Sequence, residues 1–195
     1  MKKKSIKRTA QVFRDQSDGV IAFAEDCRVK LGEKETSWAY SYAIIALYRE
    51  FETLMKNALV GAINNDSSTT SATLGIVLPK HLSLEVCEFL VTGSGYFDFR
   101  GRDGLIKLLK QYVPKTHYLV QTVKQPVYKT PIDRLVALRN YATHSSQQAK
   151  KAALKAVGQD RIGTAGSWLK SGTRLSDLAT SLRQLSTELE DLAPY

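Results

Sequence analysis

Apolar residues fall at steps of three and four along nearly the whole chain, a spacing that fits helices and excludes a sheet built on alternation. The pattern is clearest near the C-terminus. There Leu175, Leu178, Leu182, Leu185, Leu189 and Leu192 alternate the two steps over about three heptads, which predicts a leucine-seamed helix packed inside a bundle. Phe13, Val20, Ala24, Cys27 and Leu31 mark a first helix that stops at Gly32. Ile44, Leu47, Phe51, Leu54 and Ala58, widened by Tyr48, Met55 and Leu59, mark a long second one, with Thr36 or Ser37 as its cap and its end near Ile63.

Between these stretches the chain is punctuated. Residues 64–71, Asn-Asn-Asp-Ser-Ser-Thr-Thr-Ser, read as a polar loop. A short helix is predicted from Ser83 to Val91, then a glycine-rich connection from Gly93 to Gly101, then another short helix from Asp103 to Val113. Pro131 is placed as the first residue of the next helix, with Thr130 as cap. Ile132, Leu135, Val136, Leu138 and Ala142 carry that helix to about Val157. A break from Gly158 to Gly172 holds Trp168 and precedes the leucine-rich helix. A chain of 195 residues that is 43% hydrophobic can bury one self-sufficient core, so residues 1–195 read as one all-α domain.

Lys and Arg number 28 against 19 Asp and Glu, a net charge of +9. Such an excess favours phosphate-rich partners, nucleic acid first. The opening Met1-Lys2-Lys3-Lys4-Ser5-Ile6-Lys7-Arg8 has no apolar stretch behind it, so it is read as a basic N-terminal tail (residues 1–8) rather than an export signal. No apolar run is long enough to span a bilayer, so no membrane-spanning segment is expected. Cys27 and Cys87 stand alone, which argues against a zinc site and for a reducing, cytoplasmic setting. Lys2, Lys3, Lys4, Lys7 and Arg8, with Lys150, Lys151 and Lys155, are the candidates for nonspecific phosphate contacts. Tyr96, Phe97 and Phe99 beside Arg100 and Arg102 could stack bases and hold phosphates, or anchor their loop to the core. His81 and His117 lie in connections and lack a partner at ligand spacing.

One residue does not fit its surroundings. Arg139 falls three residues after Val136, four after Leu135 and seven after Ile132, on the face where an apolar side chain is due. A guanidinium there costs several kcal/mol unless it is paired or faces a wet cleft. His144 follows five residues later, about 140° around an ideal helix. Asn140 shares a helix edge with His144. Arginine's reach, or a loosening of the helix at Ser145 and Ser146, would gather the three at one spot. Glu52, at the edge of the long helix's stripe, is a candidate partner for Arg139 or a supporting acid.

Arg139-Asn140-Tyr141-Ala142-Thr143-His144 resembles the R-N-x-x-x-H signature of HEPN domains. Ile132-Asp133-Arg134-Leu135-Val136-Ala137-Leu138 is similar to the helical lead-in of that family. The resemblance extends more loosely to Tyr48-Arg49-Glu50-Phe51-Glu52 and to Gly95-Tyr96-Phe97. It implies a HEPN-like bundle of long antiparallel helices. It also implies a metal-independent endoribonuclease, without a cofactor, that cleaves RNA through its own 2′-hydroxyl. The catalytic residues would be Arg139, His144 and Asn140. In that chemistry arginine supplies fixed charge for the crowded phosphate, and histidine serves as base or acid. One histidine cannot easily be both at once, so the resemblance implies a homodimer that juxtaposes two motifs. Its setting would be a toxin or antiphage effector with an antitoxin or defence-system partner. The family's toxins often carry a tyrosine two residues after the histidine as an adenylylation target. Ser146 occupies that place here. The alternatives are a HEPN module that binds nucleic acid or a protein partner without cutting, and a helical scaffold whose charge is incidental.

Overall fold

The computed structural model describes residues 3–93 and 95–194. Lys2, among the candidate phosphate contacts, and Ser94 lie outside the described residues. The described residues form ten α-helices and no strand. The helices are α1 (Ile6–Lys30), α2 (Glu33–Asn65), α3 (Ser67–Leu74), α4 (Leu84–Thr92), α5 (Gly101–Leu109), α6 (Tyr118–Lys124), α7 (Lys129–His144), α8 (Gln147–Val157), α9 (Ala165–Leu169) and α10 (Arg174–Leu192). A 3₁₀ turn, Pro126–Tyr128, leads into α7. No helix among the described residues is long and apolar enough to cross a membrane.

The 33-residue α2 is the spine, packed against α1, α4, α7 and α9. Its expected stripe is buried, with Ile44, Leu47, Phe51, Ala58 and Leu59 wholly inaccessible. α10 lies along α1, and its seam from Leu175 to Leu189 is buried, whereas Leu192 is exposed. Ser186 interrupts the leucines where α1 comes close, and its hydroxyl donates to the Ala10 carbonyl at 2.9 Å.

Several boundaries differ from the expectation, each for a local reason. α2 starts at Glu33, so neither Thr36 nor Ser37 caps it; the Thr36 hydroxyl donates to the Leu31 carbonyl instead. The polar run after Asn64 is helical from Ser67, because the Asp66 carboxylate accepts from the Ser68 amide at 3.0 Å and caps the first turn. Asn64 itself is buried, with its amide donating to the Leu82 carbonyl. α7 begins at Lys129, so Pro131 is its third residue and Thr130 is not its cap. The α7 register does not run on to Val157. Ser145 takes φ 45°, ψ 20°, ending α7, and Ser146 caps α8 by accepting from the Ala149 amide. α6 was not foreseen. His117 caps it, its ring nitrogen accepting from the Leu119 amide at 3.3 Å, so His117 is structural rather than incidental.

The N-terminal segment is not a tail. Ser5 caps α1, Ile6 is fully buried against Gly61, and the chain is pinned to the end of α2. The Lys4 amide donates to Asn64 Oδ1 at 2.9 Å, and the Asn65 amide donates to the Lys4 carbonyl at 2.8 Å. The Lys3 ammonium donates to the carbonyls of Asn64 and Asn65. A cation at the negative end of a long helix is stabilising there, which corrects its assignment as a free phosphate contact.

Candidate functional site

The site is built where α7 ends against α2. Arg139 stands on the face of α7 that carries Ile132, Leu135 and Val136, as its spacing requires, and is half-buried. Its guanidinium carbon lies 4.4 Å from the centroid of the Tyr48 ring. Tyr48 is buried and also stacks on Phe99, with centroids 5.7 Å apart. An aromatic face partly offsets the loss of water around the cation. One Arg139 nitrogen donates to Asn140 Oδ1 at 2.8 Å. No carboxylate of the described residues lies within 4.0 Å of the guanidinium. An arginine has five N–H donors, so several remain to face outward.

His144 is the last residue of α7 and is exposed. Its side chain makes no hydrogen bond or ion pair among the described residues. The left-handed turn at Ser145 follows directly, the one non-glycine residue with positive φ among those described. Such a conformation costs a serine about 1 kcal/mol. It folds α8 back beside α7, so that Ser146, Gln148, Ala149 and Ala152 form a second wall. Arg139, Asn140 and His144 line the resulting cleft of about 560 Å³, with Tyr48 and Phe99 also in its lining.

α5 closes the third side. Arg100 precedes it, is exposed and lines the cleft. Asp133 of α7 reaches across and accepts from the Arg102 backbone amide at 2.8 Å, capping α5 from another helix. Gly101 permits this, since its φ is +66° and a Cβ would stand 2.6 Å from Asp133 Oδ1. Arg102 does not join the cleft. Its guanidinium is bonded to Asp103 and to the carbonyls of Lys124 and Gln125. Its assignment as an RNA contact is thereby corrected to a clamp between α5 and the end of α6. Phe97 and Phe99 are buried in an aromatic cluster with Phe51 and Phe13, leaving Tyr96 as the exposed aromatic of that loop. Lys150, half-buried, and Lys151, exposed, sit on α8 outside the cleft lining. Glu52 is likewise outside it but coupled to it, receiving a 3.4 Å hydrogen bond from the Tyr48 hydroxyl. Burial raises the Glu52 carboxyl above its ordinary range, and the nearby Arg139 charge works against that rise. Burial, reinforced by the Glu52 charge, pushes the Tyr48 hydroxyl well above the ordinary tyrosine range.

No family model, curated protein or solved structure matches this chain. What the site can do therefore rests on its own chemistry. The cleft offers a guanidinium in no direct ion pair and an exposed imidazole on one helix, with a second cation from Arg100 and the carboxylates of Asp98 and Asp133 in its lining. That set suits a ligand with an anionic phosphate and an exchangeable proton.

Sequence spacing missed three contributors. Tyr48 was read as a widening of the core stripe, although a tyrosine where leucine would serve is a signal of a polar neighbour. Asp133 and Gly101 are thirty-two residues apart, and nothing local announces their contact. Exposed Trp38 and Tyr42, one helical turn apart on α2, also escaped notice. With Ile45 they flank a groove of about 590 Å³ bordered by Thr143 and Ser145, the two neighbours of His144.

Proposed function

We propose that this protein is a metal-independent endoribonuclease of HEPN type, working as a homodimer in growth arrest or antiphage defence. The observation that carries the reading is Arg139: a half-buried guanidinium with no carboxylate of the described residues in direct contact, in the same cleft as His144. A buried cation kept only for stability would be expected to have an acidic partner. In the proposed reaction the RNA 2′-hydroxyl gives its proton to an imidazole and attacks the adjacent phosphorus. The bond to the 5′-oxygen breaks, and that oxygen takes a proton from the second imidazole. The products are a 2′,3′-cyclic phosphate and a 5′-hydroxyl end. Arg139 stabilises the charge on the phosphorane, and Asn140 holds its fork in register. The exposed Trp38 and Tyr42 beside the end of α7 supply apolar surface where a second protomer would bring its own His144 near the first.

Purified protein incubated with single-stranded RNA in EDTA tests this. The expected result is cleavage leaving cyclic phosphate ends. It should fall by about 10²–10⁴ in His144→Ala and by about 10²–10³ in Arg139→Ala. Wild-type rates in both variants would overturn the assignment, and loss of cleavage in EDTA would overturn the metal-free chemistry. The Trp38–Tyr42 surface also favours a second reading, a HEPN module that binds a protein partner without cutting. RNA left intact by the wild-type protein, with Trp38→Ala or Tyr42→Ala abolishing capture of a protein partner, would support that reading.

A further inference from the structure

A second polar cavity lies between α7, α9 and α10, away from the Arg139 cleft. It has a volume of about 350 Å³ and is lined by Pro131, Arg134, Trp168, Arg174, Asp177 and Ser181 among others. Two guanidiniums converge on one indole there. Arg174 lies 4.6 Å and Arg134 5.9 Å from the Trp168 ring centroid. Each is anchored by one N–H, from Arg134 Nε to the Ala156 carbonyl at 3.0 Å and from Arg174 to the Trp168 carbonyl at 3.0 Å. Neither has a carboxylate within 4.0 Å among the described residues. Trp168 is 8% exposed, and its indole N–H is buried without a hydrogen-bond partner. Orphaned buried donors are uncommon and ask for an acceptor.

α10 has no side-chain cap: the Thr173 hydroxyl donates to Asp177 instead of accepting from the first turn. Two fixed cations against one carboxylate leave the lining with an excess of one positive charge. A terminal phosphomonoester has three acceptor oxygens free for two guanidinium forks, where a diester has two. The volume is at the small end of ligand cavities, about 300–1,000 Å³.

The geometry points to a phosphomonoester-binding site formed by Arg134 and Arg174, held over the Trp168 ring, separate from the Arg139–His144 cleft and independent of the ribonuclease reading. The phosphate belongs to a small free molecule or to the end of a nucleic acid; in both cases the terminal monoester is what is held.

Calorimetric titration of the full chain with inorganic phosphate, adenosine 5′-monophosphate and adenosine tests it. So does a short oligoribonucleotide with and without a 5′-phosphate, all at matched ionic strength. Saturable binding is expected for probes carrying a terminal phosphate and not for adenosine. Each of Arg134→Gln and Arg174→Gln should weaken it by about tenfold or more. Ser181→Asp, which adds a negative charge to the cavity without touching the arginine–tryptophan stack, should do the same and guards against a misfolded glutamine variant. Binding of the monophosphate alone identifies a free metabolite, and binding of the 5′-phosphorylated oligomer as well identifies an RNA end. Absence of saturable binding by every phosphate probe overturns the proposal, as does unchanged affinity in Arg174→Gln and Ser181→Asp. RNA cleavage unaffected by these substitutions leaves the two sites distinct, and binding here is measured whether or not the protein cuts RNA.

Discussion

Gly166 is the residue whose replacement the packing forbids most plainly. It lies on the short α9, pressed against the first turns of α2. A Cβ built on it would stand 1.8 Å from the Ser37 carbonyl oxygen, 2.6 Å from Ser41 Oγ and 2.8 Å from the Ser41 amide nitrogen. Two of these atoms are backbone within the regular spine helix and cannot rotate away. In Gly166→Ala, α9 must therefore retreat by roughly an ångström, the kind of overpacking that costs about 1–3 kcal/mol. The retreat also lengthens the 3.1 Å hydrogen bond from the Gly166 amide to Ser41 Oγ, worth about 0.5–1.5 kcal/mol, and loosens buried Ala165, Trp168 and Leu169. Alanine recovers about 0.5–1 kcal/mol through lower backbone entropy in the unfolded chain. A net loss of about 2 kcal/mol remains, which lowers the melting temperature by about 4–8 °C for a chain of this size. Thermal unfolding followed by circular dichroism measures it. Removing the serine hydroxyl in Gly166→Ala/Ser41→Ala should not restore stability, because the Ser37 carbonyl is still in the way. A Gly166→Ala protein melting within a degree or two of wild type would show that α9 does not sit against α2 as described.

Other expectations concern charge and backbone. The Glu52 carboxyl is raised by burial, so its folded-state stabilisation is present at low pH and is lost as pH rises through the raised value. Glu52→Gln should thus gain stability relative to wild type at neutral pH and lose that advantage below the ordinary carboxylate range, as urea unfolding at several pH values would show; a pH-independent difference would contradict it. His117 is lowered from its ordinary value of 6.5 by burial, and its neutral ring nitrogen accepts the α6 capping bond. Its contribution is present above 6.5 and declines as pH falls below that, so His117→Asn, which caps at any pH, should flatten the acid side of the stability profile down to the carboxylate range. Ser145→Gly should relieve the left-handed strain after His144 and raise stability by up to about 1 kcal/mol, measurable in the same melts; a lower melting temperature would mean the Ser145 side chain does more than turn the chain.

Helices were legible where a stripe was long. The α2 and α10 faces could be read residue by residue because burial of a helix leaves its period in the sequence. The oddity of Arg139 was legible for the same reason, as a charge on a stripe. Short helices were less evenly legible: α4 and α5 were placed to within a few residues, whereas the Asp66 cap of α3 was hidden in a run of polar residues that also suits a loop. The break at Ser145 had no signal strong enough to beat the continuing apolar pattern of Ala149, Ala153 and Val157, since serine rarely adopts a left-handed turn. Long-range polar contacts left no trace. That Lys3 serves the end of α2, that Arg102 is tied to the end of α6, and that Asp133 caps α5 depend on which helices meet, and that is settled only by the packed core.

The proposal for this protein stands on Arg139 and His144 serving one reaction. Cleavage rates of a defined RNA by Arg139→Ala, His144→Ala and the double variant test it most directly, because groups acting as a unit give strongly non-additive losses. The expected result is a double variant no slower than the slower single one, with all three folded as wild type. Losses that multiply, or singles that cut at the wild-type rate, would contradict a shared centre.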